Sequence, residues 1–237
     1  MVQRAAAIAG CAAGVIDALD FAEHGCVRYS GVLTHSVQQE LLRLFSHLDA
    51  RRPGRRLPPS ALAGVAGTSN VRSLVADLIG AAVRPVRVLL LDKRDGGNWA
   101  LGWHQDRTIE VRMRREVGGF GPWTVKQGRP HVAPPIALLD RMVTARLHLD
   151  PVDDENAPLI VAPGSHRLGL IAESQIGDVV AALGRMRCHA DAGDIWLYAT
   201  PILHASDRAA PGRRRRVVQI DFSADVLPGG LEWPDAA

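Results

Sequence analysis

A succession of short apolar segments that begins near residue 84 limits the folds open to this chain. Seven segments have the length and composition of β-strands: residues 87–93, 99–106, 144–150, 158–164, 194–199, 201–206 and 215–223. Runs rich in Pro, Gly, Asp and Asn, such as residues 150–158 and 163–165, separate them as turns. Many short strands of this kind predict a mainly β protein whose two packed sheets form a jelly-roll or cupin-like barrel.

The residues before this point have a different pattern. Residues 12–23, 36–48 and 69–83 carry apolar residues at helical spacing, and residues 26–33 alternate like a strand. We therefore expect one domain over residues 1–237, with a mostly helical lead-in at 1–83 and a β core at 84–224.

Three further segments are interpreted from their composition and residue spacing. The run RRPGRRLPPS (51–60) is interpreted as a solvated connector, with an anion-binding patch as the alternative. Residues 173–184 have the pattern of one more helix. The glycine-rich segment 115–130 is too long for an ordinary connection between strands. We interpret it as either a functional lid or a poorly ordered segment.

Composition excludes several classes of protein. The formal charge is only +3, with 28 basic residues interleaved among 25 acidic ones, and no basic run alternates with aromatic residues, so nucleic acid is not an expected partner. The three cysteines are widely spaced, which argues against a disulfide framework and favours a reducing cytoplasm. No stretch reaches the ~18 apolar residues of a membrane span.

The motif GWHQD (102–106) carries the first chemical signal. On a strand, residues two apart share a face, so His104 and Asp106 would point to the same place and Gln105 would point away. An imidazole and a carboxylate in this arrangement supply two ligands of a 2-His-1-carboxylate facial triad, which binds non-heme Fe(II) and leaves other positions open. The triad requires a second histidine.

His204 is the histidine best placed to complete the triad. It begins a strand, and Arg215 begins the next strand 11 residues later. If these strands are antiparallel neighbours, Arg215 lies near His204, where its guanidinium can bind a carboxylate through two hydrogen bonds. The rival pair with the same spacing, His148 and Asp150, has no such partners downstream.

The run WHQD, LHLDPVDDENAPLIVAPGSHRLG, AGDIWLYATPILHASD and RRRRVVQIDFS resembles the phytanoyl-CoA dioxygenase family of Fe(II)/2-oxoglutarate oxygenases, over roughly residues 84–224. The resemblance implies a double-stranded β-helix with flanking helices. It also implies that His104, Asp106 and His204 bind Fe(II), and that Arg215 and Ser206 bind 2-oxoglutarate. Lys93, Thr144 and Arg146 lie on strands that border such a site, and Lys93 and Thr144 are further candidates for cosubstrate binding.

The resemblance also implies a reaction. Fe(II), 2-oxoglutarate and O2 would be used to hydroxylate an unactivated C–H bond of a small-molecule metabolite, with release of succinate and CO2. Hydroxylation is favoured over halogenation because the carboxylate of Asp106 is present. Two alternatives stay open at this point: a cupin-like metalloenzyme that does not use 2-oxoglutarate, and a non-catalytic ligand-binding barrel. The aromatic side chains of Trp99, Trp103 and Phe120 are candidates for the pocket wall, but they fit many ligands.

Overall fold

A computed structural model describes residues 21–46, 48–49, 54–65 and 68–234. The described helices are α1 (Phe21–His24), α2 (His35–Arg43), α3 (Thr68–Ile79), α4 (Ile136–Leu139) and α5 (Ile176–Leu183). The strands are β1 (Cys26–Tyr29), β2 (Gly54–Leu57), β3 (Arg84–Lys93), β4 (Leu101–His104), β5 (Ile109–Glu110), β6 (Trp123–Lys126), β7 (Arg129–Val132), β8 (Val143–His148), β9 (Leu159–Val161), β10 (Met186–Cys188), β11 (Ile195–Ala199), β12 (His204–Ser206) and β13 (Arg215–Ser223).

Two antiparallel sheets form the body of the fold. The larger has six strands in the order β1-β11-β8-β13-β3-β2, and the smaller has four in the order β10-β9-β12-β4. A third sheet of three short strands, β5-β7-β6, lies beside them. This arrangement confirms the predicted mainly β jelly-roll architecture with flanking helices.

Strand alternation gives the six-stranded sheet two chemically different faces. On the outer face, apolar side chains of β3, β8 and β13 belong to the main hydrophobic core, a cluster that includes Leu147 and Ile220 of the sheet and Leu41 and Val75 of α2 and α3. The inner face of the same strands carries buried polar residues, which are Arg87, Lys93, Thr144, Arg146, His148, Arg215, Gln219 and Asp221. A buried polar face of this size requires partners, so the space between the sheets is where a ligand site is expected.

Most predicted elements are found, with shorter bounds. The predicted helix at 69–83 ends at Ile79, and the predicted helix at 173–184 begins with a 3-10 turn (Glu173–Gln175) before α5. The predicted connector at 51–60 contains β2, which pairs with β3 at the sheet edge. Most of the predicted helix at 12–23 lies outside the described residues; only its end is seen, in α1.

The glycine-rich segment 115–130 is ordered around a hairpin. Strands β6 and β7 pair antiparallel, from Trp123 opposite Val132 to Lys126 opposite Arg129. Phe120 and Trp123 pack against an apolar cluster that includes Val86 and Trp233. The segment is therefore built onto the β core by its own hydrophobic contacts.

Two further properties bear on the sequence-based expectations. In the described part of the chain, Cys26 and Cys188 are both buried free thiols. No described helix combines the length and the apolar character needed to cross a bilayer.

Candidate metal centre

His104 and His204 are direct neighbours across two strands. Strand β12 pairs antiparallel with β4 so that His204 lies opposite His104, and the two ring centroids are 4.2 Å apart. Asp106 follows two residues after His104, just beyond the end of β4. Ligand atoms of the three side chains all lie within 4.8 Å of one another. The structure therefore brings together the three residues that the sequence nominated as a facial triad.

Both imidazoles are oriented by the backbone. Nδ1 of His104 lies 2.8 Å from the carbonyl oxygen of Gly102, and Nδ1 of His204 lies 2.9 Å from that of Ile202. A carbonyl oxygen only accepts hydrogen bonds, so each Nδ1 carries the proton and each Nε2 keeps a free lone pair. Burial and the neighbouring His104 lower the pKa of His204 to about 4, which keeps this ring neutral at neutral pH. Neutral imidazoles with free Nε2 atoms are the form that binds metal ions.

The residue between the two ligands anchors the motif on its other side. Gln105 is buried, and its side-chain amide donates to the carbonyl oxygens of Gly169 and Pro201, at 2.9 and 2.8 Å. Its carbonyl oxygen accepts a hydrogen bond from the backbone N–H of Ile171 at 2.9 Å. The expected alternation thus holds, although β4 itself ends at His104.

A buried arginine holds the carboxylate of the triad. Nη2 of Arg87 donates to Oδ2 of Asp106 at 2.8 Å, and Nε of Arg87 lies 2.6 Å from Oδ2 of Asp221. Although burial opposes ionisation, Arg87 and the two histidines hold the pKa of Asp106 well below its usual range. Thr144 donates to Asp221 at 3.2 Å and is hydrogen-bonded to Thr200 at 3.1 Å, so it supports this network and does not line the cavity. Asp106 is therefore ionised and oriented.

Beside the triad lie three buried cations, which we call the deep cations: Lys93, Arg146 and Arg215. Their exposed fractions are 0, 4 and 2%. Among the described residues no carboxylate pairs with either arginine, and both Nε atoms lack a hydrogen-bond partner. A buried charge without a counter-ion is costly, so this arrangement favours an anionic ligand between the sheets.

Lys93 links these cations to the strand that carries His204. It lies opposite Arg215 in the register of β3 and β13, and its Nζ donates to Oγ of Ser206 at 2.8 Å. The indole ring of Trp99 lies 4.8 Å from the same Nζ. Burial, together with Arg215 and Arg146, lowers the pKa of Lys93 to about 7.

The expectation that Arg215 and His204 lie on neighbouring strands is wrong. Strand β12 belongs to the four-stranded sheet and β13 to the six-stranded sheet. Residues 207–214 carry the chain from one sheet to the other, so Arg215 faces His204 across the space between the sheets. Both residues still line one cavity, because each is on the inner face of its sheet.

This cavity has a volume of about 160 Å³. Its lining residues come from both sheets and from the β6–β7 hairpin: Arg56, Arg87, Leu89, Leu91, Trp99, Leu101, His104, Asp106, Lys126, Arg146, Leu159, His204, Ala205, Ser206, Arg215 and Gln219. A wider depression of about 600 Å³ shares Leu101, Ala205 and Ser206 of β4 and β12 with this cavity and contains none of the triad residues.

Other candidates from the sequence lie elsewhere. His148 is buried with both ring nitrogens unpartnered, while Asp150 forms an ion pair with Arg216, so the rival pair does not converge. Trp99 lines the cavity, whereas Trp103 and Phe120 do not.

Sequence reasoning did not assign Arg87, Arg56 or Lys126 to the site. Strand alternation could have identified Arg87, because it shares one face of β3 with Lys93, which was already a candidate.

The comparisons with known proteins agree with this geometry. The family model for phytanoyl-CoA dioxygenase (PhyH) matches residues 21–217. No curated protein matches the chain.

Solved structures share the fold at low sequence identity. EctD from S. alaskensis with bound Fe is 16% identical, with a TM-score of 0.63 over 90% of this chain and 79% of its own. The epimerase SnoN, solved with Fe3+, alpha ketoglutarate and nogalamycin RO, is 17% identical, with a TM-score of 0.60 over 89% of this chain and 88% of its own. EvdMO1 is 19% identical, with a TM-score of 0.61 over 88% of this chain; the match spans only 49% of EvdMO1.

The family match covers most of the chain and includes the triad and the deep cations. The protein therefore belongs to the phytanoyl-CoA dioxygenase family of non-heme Fe(II)- and 2-oxoglutarate-dependent oxygenases.

Proposed function

We propose that this protein uses Fe(II), 2-oxoglutarate and O2 to hydroxylate an unactivated C–H bond of a small-molecule metabolite, releasing succinate and CO2. The observation that carries the proposal is the pairing of a 2-His-1-carboxylate cluster with two buried arginines that have no acidic partner in the described structure. A metal ligand set explains the first feature and a dicarboxylate cosubstrate explains the second.

The residues present fit ferrous iron. His104, Asp106 and His204 would hold it on one face, since two neutral imidazoles and one carboxylate form the donor set typical of non-heme Fe(II) oxygenases. The backbone carbonyls of Gly102 and Ile202 fix the two rings, and Arg87 fixes the carboxylate. Such outer contacts orient ligands before the metal arrives.

The residues also fit 2-oxoglutarate. Arg215 would bind the distal carboxylate through its guanidinium, with Ser206 and Lys93 beside it. Arg146 provides a further buried positive charge in the same cavity, so the two negative charges of the cosubstrate meet cations that lack carboxylate partners. When bound, iron with 2-oxoglutarate and O2 supplies the oxidising power for C–H hydroxylation. The protein binds and orients the reactants and excludes water.

A cupin-like enzyme that does not use 2-oxoglutarate would need the triad but not Arg215 and Arg146. Two buried arginines without counter-ions would then only destabilise the fold. Their presence favours the use of a dicarboxylate. The carboxylate of Asp106, held by Arg87, favours hydroxylation over halogenation.

The proposal is tested by incubating the iron-loaded protein with 2-oxoglutarate in air and measuring succinate. We expect iron-dependent formation of succinate even without a primary substrate, at a slow rate that rises when a substrate is found. A chelator should abolish it and added Fe(II) should restore it. Iron binding without any succinate, across a metabolite panel, would instead support the cupin-like alternative.

Arg87 is predicted to act on iron binding through Asp106, whose carboxylate it holds by a hydrogen bond. We expect Arg87→Met to weaken Fe(II) binding by about 10- to 100-fold, the range typical of outer contacts to metal ligands. The substitution also leaves Asp221 buried without its cation, so the free energy of unfolding should fall by roughly 3–5 kcal/mol. Isothermal titration with Fe(II) under argon and chemical denaturation measure the two effects.

The double variant Arg87→Met/Asp221→Leu separates these effects. Removing both charges should recover stability but not iron affinity, because Asp106 still lacks its donor. Recovery of iron affinity in the double variant would show that Arg87 acts only through stability.

The lowered pKa of Lys93 predicts that the protein takes up a proton when the cosubstrate binds. With a pKa near 7 in the free protein, Lys93 is mostly neutral above that pH. A carboxylate placed at Nζ favours the charged form and raises the pKa, so binding at about pH 8 takes up a proton and weakens as the pH rises, by at most about tenfold per pH unit. The positive charges of Arg215, Arg146 and Arg208 disfavour the protonated form of Lys93, and the negative charge of Asp207 favours it.

Calorimetric titration of 2-oxoglutarate in buffers of different ionisation enthalpy measures this uptake. Lys93→Arg should bind without it, because a guanidinium stays protonated. Equal uptake in wild type and Lys93→Arg would assign the proton to another group.

A further inference from the structure

Two cations of the cavity lie outside the deep set, on elements added at the edge of the β core. Arg56 is on the edge strand β2, and Lys126 is on β6 of the hairpin. Both line the cavity together with His104 and Asp106. Both are partly exposed, whereas the deep cations are buried, so Arg56 and Lys126 lie toward its mouth.

A specific contact fixes these two elements to each other. The side-chain amide of Gln127 accepts a hydrogen bond from the backbone N–H of Arg56 at 3.0 Å and donates to the carbonyl oxygen of Gly54 at 3.0 Å. Gln127 directly follows Lys126 and has a φ of 51°, at the turn between β6 and β7. Arg56 and Lys126 therefore lie on two connected elements at the cavity mouth, which we call the rim, and not on independent loops.

Arg56 and Lys126 are incompletely neutralised. Nη1 of Arg56 is buried without a hydrogen-bond partner, and its nearest carboxylate oxygen, on Glu110, is 4.0 Å away. The other oxygen of Glu110, Oε1, accepts a 2.7 Å hydrogen bond from Arg129, so one carboxylate lies between two guanidinium groups. Nζ of Lys126 donates to the neutral hydroxyl of Thr108 at 2.8 Å.

The charges around the whole site also sum to an excess of positive charge. Six cations surround the cavity or its carboxylates: Arg56, Arg87, Lys126, Arg129, Arg146 and Arg215. Among the described residues, the carboxylates that pair with these cations are those of Asp106, Asp221 and Glu110, which leaves three positive charges even without Lys93. A divalent metal and a doubly charged cosubstrate cancel each other, so they do not remove this excess.

We infer that the primary substrate carries an oxyanion group, such as a carboxylate, sulfate or phosphate ester, which Arg56 and Lys126 bind at the cavity mouth. The inference rests on the proposed function and names the substrate class of that same site. A cavity of about 160 Å³ is smaller than the ~300–1,000 Å³ of most ligand pockets. The cosubstrate and the reacting carbon occupy the interior, and the charged end of the substrate extends toward the rim.

The test uses protein loaded anaerobically with Fe(II) and 2-oxoglutarate, and propionate and sulfate as probes. Loading is checked first in every variant by the absorption of the iron–keto acid complex. We expect saturable binding of both anions by calorimetry and none of propionamide, which has the shape of propionate without its charge. Arg56→Gln and Lys126→Met should each weaken anion binding at least about tenfold.

Arg55→Gln is the matched control, because Arg55 is the exposed neighbour of Arg56 on the same strand and does not line the cavity. It should bind the anions like wild type. The inference is overturned if wild type binds neither anion, or if Arg55→Gln weakens binding as much as Arg56→Gln does. The same titrations on iron-free protein keep this result separate from the proposed function, since anion binding at the rim does not require iron.

Discussion

Replacing Asp106 with alanine is expected to lower Fe(II) affinity by more than ~100-fold, beyond the range of outer contacts to metal ligands. Asp106 supplies the only carboxylate of the triad, and Arg87 keeps it ionised. Succinate formation should fall to the level of the metal-free protein. Anaerobic titration with Fe(II), followed by a chelator competition, measures the loss.

The fold should survive this substitution, because Arg87 keeps its ion pair with Asp221. The thermal midpoint provides that check. Asp178→Asn, which removes an exposed carboxylate on α5, is the control and should bind iron like wild type. Tight iron binding in Asp106→Ala would place the metal elsewhere.

Replacing Arg215 with methionine is expected to abolish most 2-oxoglutarate binding while leaving iron binding intact. Removing one partner of a buried charge pair costs roughly 2–5 kcal/mol, or about 30- to 4,000-fold in Kd. Arg215→Lys should be intermediate, since it keeps a charge but loses the two-pronged hydrogen bonding of a guanidinium. Cosubstrate titration of the iron-loaded variants under argon measures the series.

The same substitution should not destabilise the cosubstrate-free protein. Arg215 is buried without a carboxylate partner, and burial together with Arg146 lowers its pKa, so a methionine of similar volume removes an unfavourable charge. Arg213→Gln, which changes a partly exposed arginine in the same run, controls for net charge and should bind 2-oxoglutarate normally. Normal cosubstrate binding in Arg215→Met would contradict the assignment.

The sequence predicted the parts of the site that depend on local rules. The two-residue spacing placed His104 and Asp106 on one side and Gln105 on the other, because alternation is a property of extended backbone. The same rule singled out Arg215 on β13, where Gln219 and Asp221 share its face. The jelly-roll followed from the number and shortness of the strands.

The parts that depend on sheet assignment could not be predicted in this way. A short loop between two strands does not show whether they pair or face each other, so Arg215 was expected beside His204 and lies instead in the opposite sheet. Arg56 and Lys126 are distant from the triad in sequence; β2 reaches the site by pairing with β3, and the Gln127 contact joins β2 to the hairpin that carries Lys126. No local pattern encodes a contact of this kind.

Whether the site binds Fe(II) and 2-oxoglutarate together is tested by the anaerobic absorption spectrum of the metal-free protein after addition of Fe(II) and then 2-oxoglutarate. We expect a visible metal-to-ligand charge-transfer band that requires both additions, saturates at one equivalent of each, and is lost in Asp106→Ala and weakened in Arg215→Met. Iron binding without this band on adding 2-oxoglutarate would contradict the proposed cosubstrate, and absence of iron binding would contradict the metal centre itself.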